Sequence, residues 1–403
     1  MSKRMYRRRR AFALGTTALL IFVFLAGAYV YPGFLARSEV PEVPPTGELP
    51  GVEDPSTPVV PPEKEDPKPE PVPFVHPKVR GIYVSAWIAS TPSLLDPLLQ
   101  WVEDTVLNAV VIDVKDDYGK IPWRTEVPWA LQYGAFDTRL RNIDALMVRL
   151  AEAEIYPIAR LVAFKDSSMA EARPELAVRT TSGAIWRDRT GAAWLDPHNW
   201  RSWQYLIDVA KEAASKGFKE IQFDYVRFPS DGNLSIIRYP HATGASRVEV
   251  IAAFLAEARS QLEPLGVKVS ADIFGLVTSL TTNDMGIGQM LEDIYDVIEV
   301  VCPMVYPEHY ALGTYGIPDP DKEPYLTVLR SLTYAKERLE AHPNADKVIM
   351  RPWLQDFTLR HTYGVAEIQA QIKAVYDAGF EEWLLWDPRC RYTKDAISTL
   401  PPR

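Results

Sequence analysis

Cysteine and histidine are scarce, with two and six residues respectively in a chain of 403. Cys302 and Cys390 are too few for a disulfide framework and lack metal-site spacing, so they read as two separate buried thiols. The histidines are scattered, with no HxxxH or HExxH pair, which excludes a zinc hydrolase of that type. Also missing are a GxxxxGKS or GxxxxGKT loop, a GxGxxG following a strand, and a GxSxG elbow. These absences remove the usual signs of nucleotide chemistry and of a serine nucleophile. No metal or organic cofactor is implied. Basic charge is short as well: residues 1–10 hold six Lys or Arg and no acid, so the remainder carries −15 against −9 for the whole chain. An acidic body argues against nucleic acid as a partner.

Long apolar runs are absent with one exception. "AFALGTTALLIFVFLAGAYVY", residues 11–31, has 21 residues without a charge behind a basic leader. That length crosses a bilayer as a helix, and the leading cations place the body outside the cytoplasm. Ala26-Gly27-Ala28 also reads as a cleavage site, so residues 1–32 are either a membrane anchor or a signal peptide. Residues 33–78 follow as a Pro-rich spacer, typified by "VVPPEKEDPKPEPVPF", with too little apolar area to fold. The expected protein is therefore extracytoplasmic, tethered to the membrane or secreted.

Residues 79–403 are the folded body. Short runs rich in Val, Ile and aromatics recur at 79–87, 109–117, 155–164, 220–226, 267–275, 297–306, 347–355 and 381–387. Amphipathic helical patterns lie between them, two of which stop at Gly217 and Gly379. Eight strands alternating with helices over this length predict an α/β fold of the (β/α)8 TIM barrel type, with a doubly wound open sheet as the alternative.

In a barrel, chemistry gathers at the carboxyl ends of the strands. Period-two alternation places Ser85, Trp87, Asp113, Lys115, Arg160, Asp224, Ser270, Asp272, Tyr306, Arg351, Trp353, Gln355 and Trp386 facing inward there, with no matching enrichment at the strand starts. Asp224 and Asp272 end neighbouring strands and suit glycoside hydrolysis, which divides its work between two carboxyl groups. Asp224 is the expected nucleophile, kept ionised by Arg227, and Asp272 the expected acid. Glu308, just past the sixth strand, is the rival acid. Trp87, Trp353 and Trp386 are expected sugar platforms or core residues. Asp113 and Lys115 are expected to bind sugar hydroxyls or to pair with each other, and Tyr306 and Gln355 complete the expected binding residues. Trp186 and Trp194, in the long segment 169–200, are stacking surfaces or loop anchors. A polysaccharide-binding barrel without turnover is the competing function, and it has no need of an acid at Asp224.

The motifs "VVIDVKDDYG", "LVAFKD", "WLDPHN", "GFKEIQFDYVRFPSDG", "SADIFG", "PMVYPEHY", "RPWLQDF" and "WLLWD" resemble a bacterial family of glycoside hydrolases of unassigned specificity. That family is built on a (β/α)8 barrel and is distantly similar to the barrels of α-galactosidases and α-amylases. The resemblance runs from about Val79 to Tyr392. It implies a retaining mechanism, with Asp224 matching the nucleophile at the end of the fourth strand. The proton donor, which follows the fifth or the sixth strand, maps to Asp272 or Glu308. Asp387 stands where an Asn is expected and is not assigned a catalytic part.

Overall fold

Ala109–Lys115 is buried along its whole length, as expected of a parallel strand covered on both faces. It is β2 of eight staves. The others are β1 (Arg80–Val84), β3 (Tyr156–Val162), β4 (Glu220–Asp224), β5 (Lys268–Phe274), β6 (Val300–Met304), β7 in two pieces (Ile349–Met350 and Trp353–Gln355) and β8 (Trp383–Trp386). The computed structural model describes residues 77–399. The expected anchor or signal segment 1–32 and all but the last residues of the spacer lie outside the described residues. Among those described, no helix is long and apolar enough to cross a membrane.

Each stave pairs in parallel with the next, β8 returns to β1, and Trp353 of β7 pairs with Met304 of β6. The sheet therefore closes, which excludes the doubly wound alternative. The outer helices are α1 (Pro92–Glu103), α2 (Ile143–Glu152), α3 (Trp200–Ser215), α4 (Arg247–Leu262), α5 (Leu291–Tyr295), α6 (Pro324–Glu340), α7 (Val365–Asp377) and α8 (Asp395–Ser398). Local chemistry sets their ends. Asn199 Oδ1 accepts from Arg201 N at 3.0 Å to start α3, and Ser246 and Glu249 form a capping box on α4. Gly217 and Gly379 adopt φ of 109° and 84° after α3 and α7, conformations open to glycine.

The floor of the barrel corrects one expectation. Arg351 does not face the mouth. Its Nη1 meets Glu220 Oε1 at 2.7 Å and its Nε meets Glu382 Oε2 at 2.8 Å, with all three residues buried near the strand starts. Charge is thus present at both ends of the barrel. Arg351→Met would strand two buried carboxylates, and we expect a loss of about 3–5 kcal/mol in denaturant unfolding. Adding Glu220→Gln and Glu382→Gln should recover most of it.

Candidate active site

β4 ends in Asp224, and the chain turns at once: Tyr225 takes φ of 50°, rare and strained for a residue with a Cβ. The turn aims Tyr225 N–H back at Asp224 Oδ1, 2.7 Å away. Oδ2 accepts from Arg160 Nε at 2.9 Å and Nη2 at 2.6 Å. Three N–H donors therefore converge on one carboxyl group, an arrangement suited to a carboxylate. Arg160 lies on β3, level with Gln222 of β4, and reaches upward. Its remaining hydrogen bonds are to acids: Nη1 to Asp113 Oδ1 at 2.7 Å, and Nη2 to Asp117 Oδ1 at 3.3 Å. Asp113 also accepts from Tyr83 Oη at 2.6 Å. Burial pushes the Asp113 carboxyl up, opposed by Arg160 and by the Tyr83 hydroxyl.

The ladder pairs Gln222 with Ser270 and Phe223 with Ala271, so its next step sets Asp224 level with Asp272 on the adjoining stave. Trp353 Nε1 donates to Asp272 Oδ1 at 2.7 Å. No hydrogen bond reaches Oδ2 from the described residues. Burial holds the Asp272 carboxyl well above the usual carboxylate range, and the charge of Asp224 adds to the effect. The Tyr306 hydroxyl is also raised, by burial and then by Asp272 and Asp224. Trp386 stacks on Tyr83 with ring centres 4.1 Å apart, and the Arg160 guanidinium sits 5.2 Å from its ring.

Asp113, Asp224, Asp272, Tyr306, Trp353 and Trp386 are thus brought together, with some roles changed. Trp353 is fully buried and serves as a hydrogen-bond donor to Asp272 rather than as an open platform. Its bond favours the ionised acid, so Trp353→Phe should raise the Asp272 pKa and move the alkaline limb of a pH–rate profile to higher pH. A limb that stays put or falls would detach Trp353 from the acid.

Other expected residues lie elsewhere. A register slip between Asp113 and Lys115 breaks the alternation that would have aligned them. Lys115 is instead sealed in the wall, 2.9 Å from Asp166 Oδ2 and 2.6 Å from the Val162 carbonyl oxygen. Gln355 is also sealed: its Oε1 accepts from Glu308 N and its Nε2 donates to the Phe357 carbonyl. Trp87 is 63% exposed, on the short turn Ala86–Ala89 past the end of β1, where strand alternation no longer applies. Glu308 belongs to a separate cluster, with Oε1 3.2 Å from Arg360 Nε and its carboxyl raised by burial and by Asp321. Arg227 forms no ion pair with Asp224; Arg160 holds that place. Trp186 and Trp194 are buried and anchor their loop through Asn233 O and Asp188 Oδ2.

Tyr83, Asp117 and Tyr225 were not singled out from sequence, and Arg160 was placed inward without a role. An arginine inside the otherwise apolar "YPIARLVAF" was the available signal, because a buried guanidinium needs partners.

Residues 81–392 match the model of a family described as "Putative glycosyl hydrolase domain". The chain belongs to this glycoside hydrolase family. Among solved structures, the glycoside hydrolase domain of PgaB (BpsB) from Bordetella bronchiseptica superposes with a TM-score of 0.60 at 12% identity, over 81% of this chain and all of that one. Identity that low speaks for the fold alone. A hypothetical protein from Ruminiclostridium thermocellum is 39% identical over 47% of this chain and 96% of its own, with a TM-score of 0.44. The α-galactosidase TtGalA from Thermus thermophilus matches with 14% identity over 78% of this chain and 59% of its own, at a TM-score of 0.47. No curated protein matches the chain. Membership of the family makes a carbohydrate the substrate and hydrolysis the reaction.

Proposed function

We propose that this glycoside hydrolase cleaves a cell-wall or extracellular polysaccharide with retention, using Asp224 as nucleophile and Asp272 as general acid and then base. One observation carries the reading: two carboxyl groups stand level on adjoining staves in opposite surroundings. N–H donors converge on Asp224, whereas burial and the charge of Asp224 raise the Asp272 pKa and so favour its protonated form. Parallel strands lie about 4.8 Å apart, close to the ~5–5.5 Å carboxyl separation that retention requires.

In this scheme Asp272 delivers its proton to the leaving oxygen while Asp224 bonds to the anomeric carbon. The Asp272 carboxylate then takes a proton from a water whose oxygen bonds to the anomeric carbon as the bond to Asp224 breaks, which releases the sugar and restores both groups. When Asp224 is esterified its charge is lost, and Asp113 and Asp117 remain to balance Arg160. Glu308 is not needed, because its partners are Arg360 and Asp321.

The basic leader and apolar segment support export, with the Pro-rich spacer holding the barrel away from the membrane. Proton NMR of the first-formed product tests the stereochemistry: the anomer should match that of the substrate. The opposite anomer would mean inversion, with a water attacking in place of Asp224.

A further inference from the structure

Asp224 is satisfied by Arg160, and a second cation, three residues on in the chain, forms no ion pair. Arg227 is buried, its guanidinium 5.0 Å from the Trp194 ring, 5.0 Å from Tyr225 and 4.7 Å from Phe274. Its Nη1 donates to the Phe228 carbonyl at 3.0 Å and to Ser230 Oγ at 3.1 Å. Nε and Nη2 have no acceptor among the described residues, yet neither is sealed from solvent. Burial pulls the guanidinium pKa down, opposed by Tyr225 and by the charges of Asp224, Asp231 and Asp188.

Lys165 adds a second charge. Its Nζ lies 4.8 Å from the centre of the same Tyr225 ring. Its nearest acid, Asp188, is 3.9 Å away and already accepts from Thr190, Ala192 and Trp194. The strained turn at Tyr225 thus presents a ring that lies between two cations and whose hydroxyl has no described partner, immediately after the candidate nucleophile.

We propose that this corner of the mouth recognises a sugar ring bearing an anionic group, with Arg227 and Lys165 as specificity-determining cations and the Tyr225 hydroxyl as a third contact. The proposal rests on the hydrolase reading above and deepens it from glycan to acidic glycan. A carboxylate, phosphate or sulfate would supply oxygens that accept from a guanidinium and an ammonium, and would relieve the cost of leaving a buried cation unpaired.

The test uses the full chain carrying Asp224→Asn, so that binding is read without turnover. The probes are immobilised oligosaccharides that contain glucuronate, galacturonate, a sugar phosphate, a sugar sulfate or only neutral rings. At least one acidic class should bind on the order of tenfold tighter than its neutral counterpart. Adding Arg227→Gln should abolish that preference and leave neutral binding intact, Arg227→Lys should restore part of it, and Lys165→Met should weaken it. The acidic class that binds identifies the anion.

Equal binding of acidic and neutral probes, or no binding of any acidic probe, would overturn the proposal. So would Arg227→Gln weakening both classes alike in a protein whose thermal melt is unchanged, which would make Arg227 a packing residue. Acidic binding without hydrolysis by the parent chain would sink the enzymatic reading and leave the subsite standing. Hydrolysis of neutral glycans alone would do the reverse.

Discussion

Asp224→Asn is expected to lower kcat by on the order of 10⁴-fold or more, because an amide cannot form the covalent intermediate. The exchange keeps the shape of the side chain. Arg160 Nε and Nη2 both point at Oδ2, so the amide oxygen takes that place and its NH2 turns toward Tyr225 N–H. Two donors then face each other, and stability should fall by about 1–3 kcal/mol, the cost of one unmade hydrogen bond. Kinetics on a cleavable polysaccharide together with calorimetric titration of a bound fragment separate the effects: turnover collapses while glycan binding persists. Activity equal to the parent would remove Asp224 from the mechanism.

The second large effect concerns the acid. Asp272→Ala should lower kcat/KM by about 10²–10⁴-fold on a natural linkage, the usual contribution of a positioned acid. The loss should shrink strongly on a dinitrophenyl glycoside, whose leaving group departs without a proton. The pH profile gives an independent reading. Because burial and Asp224 raise the Asp272 pKa, the group keeps its proton to higher pH than an ordinary carboxyl and loses it as pH climbs. Activity should therefore decline on the alkaline side in the parent, and this limb should vanish in the alanine variant. Glu308→Ala provides the contrast. If the leaving-group rescue and the missing limb belonged to Glu308 instead, the acid would have to be reassigned to it.

The fold was readable because its signals are local. All eight strand runs seen in the sequence contain a stave, and Gly217 and Gly379 end the helices placed before them. That Asp224 and Asp272 stand on adjoining staves was readable for the same reason: each lies toward the carboxyl end of its strand run, and strand order makes the runs neighbours. What failed was partnership across strands. Arg227 is near Asp224 in sequence, but a strained turn carries it away, while Arg160, far off in the chain, lies on the adjoining stave. Lys115 was misplaced by a single register slip, which flips a side chain from one face of a sheet to the other. Trp353 points where alternation put it. Its use as a donor to Asp272 depends on a contact between staves that no spacing rule reveals.

The buried triad at Arg351 follows the same pattern, since its members come from three staves or their approaches. Charge at both ends of the barrel also separates two duties. The floor trio is buried and paired, so its loss should be felt in stability. The upper cluster leaves Asp272 Oδ2 and Arg227 Nε and Nη2 without described partners, so its loss should be felt in binding and turnover.

The most direct test of the account is to trap the intermediate. The parent protein would be incubated with a panel of activated 2-deoxy-2-fluoro glycosides, digested, and sequenced by mass spectrometry. The account predicts time-dependent inactivation and one sugar mass on the peptide carrying Asp224. A label on any other carboxylate, or turnover of the parent substrate with inverted product and no label, would contradict it.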